Sequence, residues 1–110
     1  MTINTYQQLA ARTINHALDR DEMINHAVFG LSGEVGEISS LVQKVYQGHE
    51  LNESDLRKEI GDTAWMLAEL CTAYGWDMEQ VCIENIEKLR KRFPKGFDSE
   101  RSVNRKKYEE

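Results

Sequence analysis

The chain predicts an all-α fold built from four principal helices. Three observations lead there. A single proline interrupts 110 residues, and it comes late, at position 94. Runs that alternate polar and β-branched residues, the mark of half-buried strands, are almost absent. Apolar residues recur instead at spacings of three and four, the period of one helix face. A chain of 110 residues makes one domain with a real but modest core.

The first helix is expected from Thr5 to Leu18, with Thr5 and Gln8 as a capping box. Its inner stripe is Tyr6, Leu9, Ala10, Thr13, Ile14, Ala17 and Leu18. Asp19, Arg20 and Asp21 make the turn. The second helix is the longest, from Glu22 to Gln47, and stops at Gly48. Residues 48–52 form a loop, and Asn52 or Ser54 caps the third helix, which runs to Tyr74 with Gly75 as its C-terminal stop. Asp77, with Gln80 in the capping-box position, starts the fourth helix, and Pro94 ends it near Phe93. Residues 98–110 are charged and weakly patterned, a tail or short appended helix, so the domain itself spans 1–97. Ile14-Asn15-His16-Ala17 recurs as Ile24-Asn25-His26-Ala27, but ten residues is no structural repeat period.

With 40% hydrophobic and 30% charged residues the composition is that of an ordinary soluble protein. A net charge of −5 argues against a broad nucleic-acid footprint, which needs a basic face. Basic residues nevertheless crowd between Lys88 and Lys107. No stretch approaches the roughly 20 apolar residues of a membrane span, and the N-terminus lacks a signal-peptide core, so the expected compartment is the cytoplasm. Cys71 and Cys82 have no metal-type spacing and read as two small core residues of a cytosolic protein.

Two pairs of acids carry the chemistry: Glu34-x-x-Glu37 and Glu59-x-x-Asp62. A spacing of three sends both side chains from one helix face, with Cβ atoms about 5–6 Å apart. Glu34 and Glu37 share their stripe with Ala27, Gly30, Ile38, Leu41 and Val45, while Glu59 and Asp62 border Leu56, Met66 and Leu70. Inward carboxylates that repel one another call for a compensating cation. Pooled from two antiparallel helices, the acids form an all-oxygen cluster suited to Mg²⁺, with Mn²⁺ as substitute, rather than to zinc. No histidine falls in the pattern, which excludes a Glu-x-x-His di-iron site. Magnesium held by carboxylates usually meets substrate phosphates in its remaining positions.

The cationic half of a phosphate site is sought on the fourth helix, where Asn85, Lys88 and Arg92 share a face. Lys44, beyond the first acids, is a further candidate. Lys95-Gly96-Phe97 offers a backbone and an aromatic ring to a nucleobase or to rim packing. His16, His26 and His49 read as solvated residues. Gly30, Gly33 and Gly36 each cost a helix interior roughly 0.5–1 kcal/mol against alanine, so a second helix or a ligand approaches that backbone.

At these residues the sequence resembles the MazG-like nucleotide pyrophosphohydrolases of the all-α NTP pyrophosphatase superfamily. The likeness rests on residues 30–37 (GLSGEVGE), 59–66 (EIGDTAWM), 85–89 (NIEKL) and 92–97 (RFPKGF), and extends from about Tyr6 to Phe97. The resemblance implies a MazG-type helical fold, completed as a homodimer or a dimer-of-dimers tetramer. It implies hydrolysis of nucleoside triphosphates between the α and β phosphates, giving a monophosphate and pyrophosphate. Glu34, Glu37, Glu59 and Asp62 would hold Mg²⁺, Lys88 and Arg92 phosphate, and Asn85 sugar or phosphate. Gly33 stands where some relatives carry a further glutamate. Two alternatives accompany it: a phosphoribosyl-ATP pyrophosphohydrolase-like enzyme, and a non-catalytic, metal-stabilised helical module that binds a partner.

Overall fold

The computed structural model describes residues 1–108, which form five α-helices, one 3-10 turn and no strand. Of the described residues 76% are helical, and the all-α expectation holds. The helices are α1 (Ile3–Ala11), α2 (Arg20–Tyr46), α3 (Glu53–Tyr74), α4 (Met78–Arg92) and α5 (Ser99–Val103), followed by the 3-10 turn Arg105–Tyr108. Two compact units divide the chain, Met1–Met78 and Glu79–Glu110.

In the first unit, α1 is shorter than its apolar stripe suggests. Thr2, not Thr5, caps it by accepting from the Thr5 amide at 3.1 Å, and the helix ends at Ala11 rather than Leu18. Side chains compete for the backbone beyond that point. The Thr13 hydroxyl donates to the Ala10 carbonyl at 2.8 Å, and Asn15 Oδ1 accepts from the Ala17 amide at 3.0 Å. Ala10 and Ile14 are buried as expected, whereas Leu9 and Ala17 are exposed.

A reciprocal capping box starts α2 earlier than expected. Asp19 accepts from the Glu22 amide at 2.8 Å, and Glu22 accepts from the Asp19 amide at 3.1 Å. At its end the Gly48 and His49 amides return to the carbonyls of Val45 and Lys44, with Gly48 at φ 92°. Asn52 caps α3, and Gly75 closes it in the left-handed conformation at φ 74°. Arg20 reaches that same end, donating from Nε to the Ala73 carbonyl at 3.1 Å and lying over the Tyr74 ring. Gln7 joins α1 to the end of α3: its amide donates to Thr72 Oγ1 and the Trp76 carbonyl and accepts from the Met78 amide at 2.7 Å.

Helix α3 packs against both α2 and α1. The seam between α2 and α3 is antiparallel with one register throughout. His26, Gly30 and Glu34, four residues apart on α2, meet Glu69, Met66 and Glu59 in descending order on α3. Small residues allow the close approach. Ala27 and Ala68 are buried in the first unit, and a Cβ on Gly30 would stand 2.5 Å from Met66 Sδ. Gly30 therefore serves helix packing, while Gly33 and Gly36 face open space.

In the second unit, α4 runs to Arg92 and the chain turns through Pro94–Phe97, with the Phe93 and Phe97 rings 5.6 Å apart. Arg101 of α5 donates to the Arg92 carbonyl and, at 2.9 Å, to the Lys91 carbonyl, so a guanidinium satisfies the end of α4. Its Cζ lies 3.6 Å from the centre of the Tyr108 ring. Asp98 caps α5 by accepting from the Arg101 amide at 3.1 Å.

Candidate metal centre

The antiparallel register brings the two acidic motifs together. Glu34 projects from α2 one turn beyond the Gly30 contact, and Glu59 and Asp62 answer from α3. One carboxylate oxygen from each of Glu34, Glu59 and Asp62 lies within 4.8 Å of the other two. Glu34 and Glu59 are half-buried, while Asp62 is exposed. Glu37 is also exposed, one turn past Glu34 and outside this three-residue group.

The electrostatics are those of a site short of positive charge. The Glu59 carboxyl is raised from its ordinary 4.5 to about 6. Its hydrogen bond with Glu34 is the largest cause, followed by burial and by the negative charges of Glu34, Asp62 and Asp55. Two carboxyl groups share a hydrogen bond only when one keeps a proton. Glu59 Oε2 is buried and has no hydrogen-bond partner. An acceptor in that state is matched by a cation, and three oxygen donors suit a hard ion. The residues present therefore fit the divalent cation expected from the sequence.

Tyr6 of α1 borders the cluster: burial, then the charge of Asp62, raises its hydroxyl above the usual range. In sequence Tyr6 is one member of an apolar stripe, and only the packing of α1 against α3 brings it near Asp62. Lys44 lies exposed in the last turn of α2. The remaining candidates belong to the second unit. Asn85 and Lys88 are exposed on α4, Arg92 is half-buried at its end, and Lys95 is exposed in the turn that follows.

Two readings of single residues change. His26 is not simply a solvated side chain, since its Nδ1 lies 2.6 Å from Oε1 of Glu69, a residue with only 1% exposure. Glu69 itself carried no sequence signal beyond an acid within an apolar stripe. Cys71 and Cys82 are half-buried rather than fully in a core.

Residues 24–97 match the MazG nucleotide pyrophosphohydrolase domain. The chain belongs to that family. The matched span contains all three acids of the cluster and Glu37. A phage relative, the Gene 37 protein of Mycobacterium phage L5, is 30% identical over 105 residues, covering 87% of this chain and 92% of its own length. No solved structure matches the chain. Within this MazG domain the acids lie along the α2–α3 seam, and no helix among the described residues is long and apolar enough to cross a membrane.

Proposed function

We propose that the protein is a Mg²⁺-dependent nucleoside triphosphate pyrophosphohydrolase, cleaving between the α and β phosphates to release a monophosphate and pyrophosphate. The observation that carries this reading is the convergence of Glu34, Glu59 and Asp62 around the unpartnered Glu59 Oε2, inside a MazG match. Glu34, Glu59 and Asp62 would hold the ion, with Glu37 as the fourth ligand. When bound, Mg²⁺ supplies polarisation of the phosphoryl oxygens and a water acidified for attack.

The chain's own groups do the rest. Glu37, exposed beside the cluster, is suited to orient the attacking water and accept its proton. The family resemblance assigns phosphate to Lys88 and Arg92 and sugar or phosphate to Asn85, with Lys44 and Lys95 as further cations. The catalytic domain is residues 1–97, with 98–110 as an appendage, acting in the cytoplasm. A homodimer or dimer of dimers is the working assembly. Its support is the apolar surface of Val42, Val45 and Tyr46 late in α2, the last 90% exposed.

Pyrophosphate release measured over canonical and modified triphosphates, with Mg²⁺ and with Mn²⁺, tests the proposal. Turnover of one or more nucleotides, absent in chelator, is the expected result. A melting temperature raised by Mg²⁺ with no pyrophosphate from any nucleotide would identify a metal-stabilised module instead.

A further inference from the structure

Glu69 is the largest side chain fully removed from solvent among the described residues. Its Oε1 meets His26 Nδ1, and its Oε2 has no hydrogen-bond partner. An apolar pair would close the α2–α3 seam at least as well, because a buried acid keeps a desolvation cost that packing does not return. What the acid accomplishes is control of His26. A carboxylate accepts, so Nδ1 donates and the ring orientation is set. The edge-to-face contact with Trp65, 6.2 Å between centroids, fixes it further, and Trp65 is itself anchored by donating from Nε1 to Thr13 Oγ1 at 2.7 Å. The His26 side chain is still 49% exposed, and Nε2 is the nitrogen left for an outside partner.

The surface beside it continues toward the acids. Phe29, Gly33 and Glu37 follow His26 at helical spacings, hence on one face of α2. Phe29 is 72% exposed, and nothing lies within 4 Å of where a Cβ on Gly33 would stand. At 1.5 Å per residue His26 precedes Glu34 by about 12 Å along the axis, which leaves room for a nucleoside between them.

We propose that this face of α2 binds the nucleoside part of the substrate. The base stacks on Phe29 and hydrogen-bonds His26 Nε2, and the sugar crosses Gly33 toward the acids. His26 is thereby a specificity-determining residue and Glu69 the residue that positions it. The proposal rests on the pyrophosphohydrolase reading for the identity of the ligand.

Calorimetric titration of the full chain in Mg²⁺, with a panel of nucleoside monophosphates and with pyrophosphate, tests it. His26→Gln and Phe29→Ala are each expected to weaken the best monophosphate about tenfold, the worth of one hydrogen bond or stacked ring. Both should narrow the spread among bases and leave pyrophosphate affinity unchanged. Glu69→Leu should reproduce the nucleotide loss, and Glu69→Gln, which still accepts from Nδ1, should retain most of the affinity. Phe29 is exposed, so its variant remains folded even where a change at the buried pair does not. Equal losses for pyrophosphate and monophosphate, or monophosphate affinity unchanged in both His26→Gln and Phe29→Ala, overturn the proposal. Wild-type protein that binds monophosphates but releases no pyrophosphate from triphosphates defeats the hydrolase reading and leaves the nucleoside face standing. Wild-type protein that binds no nucleotide defeats both.

Discussion

The seam between α2 and α3 removes acids from solvent at two places and treats them differently. At one end Glu69 is fully buried, yet a side chain of the same protein, His26, meets it at 2.6 Å. At the other, Glu59 finds only a second carboxyl, and its Oε2 remains without a partner. The same pair of helices thus holds one acid with a partner inside the fold and one cluster whose acids meet only each other. Desolvation explains why both conditions are notable, since an unpaired buried charge is among the costliest features a fold can carry. An acid completed internally serves geometry, whereas an incomplete one is open to a ligand.

The sharpest way to break the contrast is at the incomplete end. Asp62→Asn or Glu37→Gln should reduce pyrophosphate release by roughly 1,000-fold or more if these carboxylates hold and use the ion. The metal-free fold should survive, or melt slightly higher, because repulsion is relieved. Normal turnover by either variant would exclude the metal site.

At the complete end the largest effect is on stability. His26→Ala leaves Glu69 buried without its hydrogen-bond donor and is expected to cost about 1–3 kcal/mol, read by denaturant unfolding. Glu69→Leu should cost less, because the histidine it abandons is half-exposed and remains solvated. The reverse order would show that the pair matters for packing rather than for its hydrogen bond.

The pH dependence separates the ends again. Glu59 titrates near 6 in the fold against 4.5 ordinarily, so the folded chain binds this proton more tightly. Its contribution to stability is complete below about pH 4.5 and is lost as pH rises through about 6. In chelator, wild-type protein should therefore melt lower at pH 7 than at pH 5 relative to Glu59→Gln, which lacks this titration. Mg²⁺ should reverse the loss, and its affinity should strengthen as pH rises past 6, because ion and proton compete for the same oxygens.

The smallest effect concerns the glycines. Gly33→Ala, facing open space, should stabilise α2 by up to about 1 kcal/mol in thermal unfolding. Gly30→Ala should gain less or lose, since its Cβ must displace the end of Met66.

Much of this was legible from residue order alone. Helix class, the stops at Gly48 and Gly75, the Asn52 cap and the two acidic pairs all depend on local rules: backbone conformation, capping and a period of 3.6. The early end of α1 was not, because periodicity continues past Ala11 while the side chains of Thr13 and Asn15 take over the backbone. The capping box at Asp19 and Glu22 was available in the sequence and was obscured by three charged residues that resemble a turn.

What only the tertiary structure decided was register. The spacing of Glu34, Glu59 and Asp62 implies two acidic faces, but their meeting within 4.8 Å depends on how far α3 slides along α2. That offset is set by the approach of Gly30 to Met66 and by the pairing of His26 with Glu69, contacts between residues far apart in the chain. Local chemistry determined which side chains each helix would present. Packing between the helices determined which of those side chains would face one another, and so which acid would be completed within the protein and which would meet only other acids.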